Sequence, residues 1–184
     1  MPNTKFFNKV GESGGMWLEM SNHSLYLLRW FIFFKTQMAF FTSEYECKLD
    51  TKGRLVLPAK IKANLPEVST HELVIRQGFE PNLILYPMLE YKKIHAKIAA
   101  LSEFNEEQRK LKRTFFRSIA QVELDNAGRI LIPKAALAHA RLDKDVLLVG
   151  MGNYIEMWNP QVFNDYQLGD PVEYSDLAQK YLDE

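Results

Sequence analysis

The sequence predicts an α+β protein: one β-rich unit used twice, with helices between the copies and at the C-terminus. Three observations carry this. Residues 46–58 align with 121–133 at an offset of 75, both reading Leu-Asp-x-x-Gly-Arg, three aliphatic residues and Pro. Two further segments follow each copy: Glu72-Leu-Val-Ile-Arg76 is matched by Asp145-Val-Leu-Leu-Val149, and Asn82-Leu-Ile-Leu-Tyr-Pro87 by Ile155-Glu-Met-Trp-Asn-Pro160. Between the copies, apolar residues recur at helical rather than strand spacing.

Each unit then reads strand, tight turn, strand, short helix, strand, turn, strand. Residues 45–49 alternate before the first turn, and Leu55-Val-Leu57 is aliphatic after it. Gly53 and Gly128 supply the positive φ that a tight turn needs, so each Asp-x-x-Gly-Arg is a hairpin tip. Pro58 and Pro133 suit the first turn of a helix, where a missing N–H costs nothing; residues 59–65 and 134–140 follow as short helices. Strands at 82–86 and 154–158 stop at Pro87 and Pro160. In the connector, Met88, Tyr91, Ile94, Ile98 and Leu101 fall on one side of a first helix. Phe104, Leu111, Phe115 and Ile119 fall on one side of a second, whose other side carries Arg109, Lys110, Lys112, Arg113 and Arg117. Ser102 and Asn105 are N-cap candidates, and a last helix covers 174–182. The expected organisation is unit one at 44–87, a helical connector at 88–117, unit two at 118–161 and a C-terminal helical segment at 162–184. A unit of about 45 residues is near the size where a single core becomes marginal. The two halves are therefore expected to share one small barrel-like core by interleaving their hairpins, or to associate with other subunits.

Residues 1–37 have no repeat partner and no sustained period. Their apolar run, Leu25-Tyr-Leu-Leu-Arg-Trp-Phe-Ile-Phe-Phe34, is short of the roughly 20 residues a bilayer span needs, and Arg29 interrupts it. No small-residue cleavage site follows it. No membrane role is expected, and the segment reads as an N-terminal extension, either disordered or the product of an upstream start codon, with Met38 able to begin a self-contained protein.

Composition narrows the function classes. Of 184 residues, 47% are hydrophobic and 25% charged, which excludes disorder throughout. The single cysteine, Cys47, excludes an intrachain disulfide and a thiolate zinc cage, and reads as a buried inert thiol. His23, His71, His95 and His139 are not spaced as a metal pair. There is no phosphate-binding G-x-x-x-x-G-K-[ST], no G-x-S-x-G and no H-E-x-x-H, so neither an enzyme nor a cofactor or metal is expected. The net charge of +0 hides a split: +2 over residues 1–37, +4 over 38–118 and −6 over 119–184.

Two readings of each tip stand side by side. Asp50 with Arg54, and Asp125 with Arg129, form an ion pair that merely holds the turn. Alternatively, the arginine is repeated because it grips phosphate or a guanine edge, with Asp50 and Asp125 orienting Arg54 and Arg129 rather than touching DNA. On the second reading Arg54 leads, helped by Lys52 and Lys48. Lys48, Lys52, Lys60 and Lys62 cluster in sequence around the first tip, whereas only Lys134 accompanies Arg129. The loss of Arg129 should therefore be the milder. The basic run 109–117 reads either as a second DNA stripe or as a solvated face paired with Glu103, Glu106 and Glu107.

From Met38 to about Leu182 the chain resembles the MraZ family of bacterial proteins. The resemblance rests on Tyr45-Glu-Cys-Lys-Leu-Asp-Thr-Lys-Gly-Arg54, Leu83-Ile-Leu-Tyr-Pro87, Asn105-Glu-Glu-Gln-Arg109, Glu123-Leu-Asp-Asn-Ala-Gly-Arg129 and Val149-Gly-Met-Gly-Asn153. It implies two AbrB-like swapped-hairpin modules and a ring-shaped homo-oligomer. It also implies a transcriptional regulator, cytoplasmic and nucleoid-associated. Such a regulator binds double-stranded DNA at repeated promoter sites of the division and cell-wall gene cluster that contains its own gene. The family's Asp-x-x-x-Arg motif falls on Asp50/Arg54 and Asp125/Arg129. The second reading is an oligomeric protein-interaction scaffold or antitoxin-like module, whose acidic C-terminal half binds a basic partner.

Overall fold

The computed structural model describes residues 39–66 and 72–182. The expectations for residues 1–37 and His71 lie outside the described residues. The elements run β1 (Glu44–Lys48), β2 (Arg54–Val56), α1 (Ala59–Ala63), β3 (Glu72–Gln77), β4 (Leu83–Pro87), α2 (Met88–Ala99) and α3 (Glu106–Arg117). They continue with β5 (Ile119–Glu123), β6 (Arg129–Leu131), α4 (Lys134–His139), β7 (Asp145–Gly150), β8 (Ile155–Trp158), α5 (Pro160–Phe163), a 3₁₀ turn at Asn164–Tyr166, and α6 (Pro171–Leu182).

Six strands form one antiparallel sheet in the order β1-β7-β8-β4-β3-β5, and β2 pairs with β6 in a separate two-stranded ribbon. Under the repeat, β1 corresponds to β5, β7 to β3 and β8 to β4, so the sheet order is equivalent read from either end. The first hairpin of each unit is opened out. At the first tip Leu49 bridges Leu55, after which β1 pairs with β7 and β2 with β6, both from the other unit. In the same way β5 of unit two pairs with β3 of unit one. The expected interleaving is present, and its cause is local. A bare two-stranded hairpin is marginal in water, whereas exchanged strands let both units bury their aliphatic faces together.

Strand alternation decides what is buried. Leu73 and Ile75 on β3, and Leu83 and Leu85 on β4, face a core completed by Leu55, Leu57, Ile130, Ile132, Leu148, Ile155 and Met157, all buried. Val74, Ile84 and Tyr86 point to the opposite face and pack with Tyr91 of α2 and Phe115 of α3. The equivalent face of the other half is covered by Trp158, whose ring lies 5.4 Å from Phe163 and 5.2 Å from Tyr166. The first connector helix forms where expected; the second is shorter, because Asn105 caps α3 by accepting a hydrogen bond from the Gln108 N–H at 3.1 Å, which leaves Phe104 ahead of the helix, and Ile119 already opens β5. The apolar side expected for α3 is only partly used. Phe115 is buried, but Leu111 is 44% exposed and Phe104 98% exposed. The reason is that α3 meets the sheet near its C-terminal end alone. Cys47 is half-buried rather than buried, because β1 is an edge strand; partial burial still pushes its thiol above the usual range.

Two buried polar groups tie the connector to the sheet. Glu90 of α2 is 2% exposed and accepts from Lys93 Nζ at 2.7 Å and from Asn153 Nδ2 at 2.9 Å. Arg76 of β3 is also buried, its guanidinium 5.1 Å from the Phe79 ring centre and 5.3 Å from that of Phe115. Among the described residues, no group of acidic, cysteine or histidine side chains could hold a metal, and no helix is long and apolar enough to cross a membrane.

Candidate nucleic-acid interface

The two Asp-x-x-Gly-Arg turns have the same geometry. At the first, the Gly53 N–H donates to the Asp50 carbonyl at 3.0 Å and the Asp50 N–H to the Arg54 carbonyl at 2.9 Å. Gly53 has φ +76° and Gly128 +70°, a region where a side chain strains the backbone. Asp50 Oδ1 accepts from the Lys52 and Arg54 N–H groups, each at 2.9 Å. Its Oδ2 accepts from Arg54 Nε at 2.6 Å. Asp125 repeats the set: Oδ1 from the Ala127 and Arg129 N–H groups at 2.9 Å, and Oδ2 from Arg129 Nε at 2.7 Å. The Arg54 N–H leads the causes that hold the Asp50 carboxyl down at about 2, with the Arg54 side chain adding to it. Asp125 is lowered in the same way by Arg129.

One aspartate thus shapes the turn with one oxygen and grips the arginine with the other. Only Nε of each arginine is used. Among the described residues the terminal guanidinium nitrogens have no protein partner, and the side chains remain about one-third exposed, 31% for Arg54 and 33% for Arg129. The free end of a held guanidinium is a planar two-donor fork, matched to two oxygens of a phosphate or to a guanine edge.

The β2–β6 ribbon brings the two arginines together. Arg54 stands opposite Leu131, and Val56 opposite Arg129. Directly opposed residues share a face. Arg54, Leu131, Val56 and Arg129 therefore lie on one face of the ribbon, while Leu55 and Ile130 point inward and are fully buried. The two arginines are diagonal neighbours, about 7–8 Å apart at Cα. Val56 and Leu131 between them are 52% and 57% exposed.

The lysines are distributed differently from their order in the sequence. Lys52 is exposed in the first turn. Lys48 lies on β1, away from the ribbon, 4.0 Å from Asp145 across the strand pair. Lys62, close to the first tip in sequence, is carried by α1 to the second, where a Cβ on Gly128 would stand 2.6 Å from its Nζ. The ribbon crossing explains this. The Leu57 N–H donates to the Gly128 carbonyl and the Ile132 N–H to the Gly53 carbonyl, both at 3.0 Å, so each unit's helix sits under the other unit's turn. Nothing in the linear spacing signals this. On α3, Lys110 pairs with Glu106 at 2.8 Å and Lys112 with Glu103 at 3.5 Å. Arg113 and Arg117 have no carboxylate partner among the described residues.

Fold and site together define a protein of two interleaved swapped-hairpin units that presents a pair of aspartate-held arginines on a narrow ribbon. The sequence model described as "MraZ protein, putative antitoxin-like" matches residues 40–114 and again 115–180. The chain is 50% identical over 145 residues to a protein of Cytophaga hutchinsonii named transcriptional regulator MraZ, covering 79% of this chain and 96% of that one. Proteins of the same name from Carboxydothermus hydrogenoformans and Heliobacterium modesticaldum are 35% and 34% identical over 143 residues, each covering 78% of this chain and 97% of its own. The chain belongs to the MraZ family.

Proposed function

We propose that the protein is a DNA-binding transcriptional regulator whose β2–β6 ribbon contacts double-stranded DNA through Arg54 and Arg129. The observation that carries this is the pair of guanidinium forks on one exposed ribbon face, each held at Nε by its aspartate. A two-stranded ribbon fits the major groove. Asp50 and Asp125 act as orienting groups: each restricts its arginine before binding and keeps its own charge turned into the turn. Lys52 adds phosphate contact at the first tip. The relatives' name supports regulation of transcription as the role.

A chain with no net charge binds duplex weakly through a single ribbon. A ring-shaped homo-oligomer that engages repeated sites, upstream of the division and cell-wall cluster that includes its own gene, multiplies weak contacts through effective concentration. Counterion release makes the binding fall with salt. The test is fluorescence anisotropy with duplex from that promoter at two salt concentrations. Tight, salt-sensitive binding by the intact chain and its loss in Arg54→Ala support the reading. Equal affinity for the promoter and a scrambled duplex, or unchanged binding by Arg54→Ala, would sink it in favour of an interaction scaffold.

A further inference from the structure

The four outward side chains of the β2–β6 ribbon form a rectangle. The register sets Arg54 opposite Leu131 and Val56 opposite Arg129, so the arginines occupy one diagonal and Val56 and Leu131 the other. Outward neighbours along one strand stand about 7 Å apart at Cα, and opposed residues about 5 Å. At the centre, the inward Leu55–Ile130 pair is fully buried. Exchanging the two units carries 54 onto 129, 55 onto 130 and 56 onto 131, and leaves the pairing unchanged. The ribbon backbone thus has a local two-fold axis through the Leu55–Ile130 pair. Val56 and Leu131 are both aliphatic, yet each is more than half exposed.

A ribbon that only held phosphates would gain from lysine or threonine at 56 and 131, since phosphate oxygens are bound by polar donors. An aliphatic side chain offers them nothing. In the major groove, the C5 methyl of thymine is the apolar group that the base edges present. We propose that Val56 and Leu131 are specificity-determining residues that pack against thymine methyls, beside guanine edges gripped by Arg54 and Arg129. This rests on the DNA-binding reading above and names the base chemistry of that site. The ribbon's two-fold axis meets the dyad of the duplex, so the two arginines face guanines of opposite strands, each with a thymine methyl beside it. The spacing of about 7 Å between Arg54 and Val56 matches two base-pair steps of about 3.4 Å. Both aliphatic side chains are short and reach base edges only when the backbone enters the groove, which at about 12 Å admits a two-stranded ribbon. A second copy of the chain is the other possible cover. Two aliphatic side chains fall far short of the roughly 800 Å² per partner that a stable interface buries, and the flanking guanidinium groups would repel those of an identical face.

The test is fluorescence anisotropy with the full chain and two duplexes of the promoter upstream of its own gene, one carrying thymine and the other uracil throughout. Uracil lacks the C5 methyl and keeps every hydrogen-bonding group of the base. Losing one buried methyl should cost about fourfold in affinity, and losing two about fifteenfold. The wild type should bind the uracil duplex that much more weakly. Val56→Ala/Leu131→Ala should bind the thymine duplex weakly too and should not tell the two duplexes apart, with unchanged circular dichroism and oligomer mass. Val56→Thr, which keeps the branched shape of the strand residue, should discriminate less than the wild type, and it is the variant to read should the double change fail to fold. A wild type that binds both duplexes equally overturns the proposal. So does a double variant that still prefers thymine as the wild type does, which places the methyl effect in duplex shape. A double variant that binds normally but assembles to a smaller mass also overturns it, assigning the patch to a second copy. No binding of either duplex by the wild type overturns the regulator reading itself, whereas binding that ignores the methyls leaves that reading standing.

Discussion

Lys62, on the helix of the first unit, reaches the turn of the second: its Nζ lies 2.6 Å from where a Cβ on Gly128 would stand. At the equivalent place in the other half, Leu137 lies against Gly53, its Cδ1 3.1 Å from such a Cβ. The first turn therefore has its own lysine, Lys52, and the second receives one across the ribbon. Lys62→Leu is expected to lower the slope of log affinity against log salt by about one. It should be non-additive with Arg129→Ala and additive with Arg54→Ala. Anisotropy titrations of the single and double variants check this.

Arg54→Ala should weaken DNA binding by about 1–3 kcal/mol per engaged site with unchanged circular dichroism. Arg54→Lys should restore only part, since an ammonium cannot make the two-donor fork. The linear sequence, counting Lys62 with the first tip, makes Arg129→Ala the milder change. With Lys62 at the second tip, comparable losses are expected, and titrations of the two variants side by side decide.

The turns give a pH signature. The Asp50 carboxyl is lowered from 3.8 to about 2, so its contribution to stability is complete above the ordinary aspartate range. It is lost as pH falls through about 2. Urea midpoints of the wild type and Asp50→Asn should differ at pH 5 and converge toward pH 2. A constant difference across that range would show that the carboxylate's charge is not what steadies the turn.

Leu49→Asp should destabilise the fold by several kcal/mol, because Leu49 is buried in the shared core and the new carboxylate would have no partner there. Leu124→Asp should cost less, since Leu124 is only partly buried against that core. Urea unfolding that ranks them in the opposite order would contradict the burial.

A chain begun at Met38 is expected to melt and assemble as the full chain does, the family match starting at residue 40. A lower melting temperature or a changed mass would give residues 1–37 a structural part.

The repeat, the turn glycines and the aspartate–arginine pairs are legible in the sequence because each is local. A positive-φ turn demands Gly53 within four residues of Asp50, and the carboxylate reaches the arginine through the same turn. The exchange of strands is legible only as a need, from units too small to bury a core alone. Contacts that depend on which strand lies beside which are not. Lys62 at Gly128 requires knowing that the ribbon pairs β2 with β6. The Glu90–Asn153 hydrogen bond spans 63 residues, and no local pattern marks Glu90 as buried. The exposure of Leu111 likewise follows from where α3 meets the sheet, although its spacing is that of a covered residue.

The exchanged strands have a consequence for how the two halves can change. Two separate copies of one unit, interleaved as a dimer, would have to carry the same residue at every equivalent position. Written on one polypeptide, the same arrangement is released from that identity. Lysine can stand at 62 where the other half has Leu137 packed against the shared core, and Lys52 can be matched by Ala127. Mutual embrace becomes a unimolecular event, so the body should not come apart on dilution. Its two aspartate–arginine turns are then free to diverge in the residues around them.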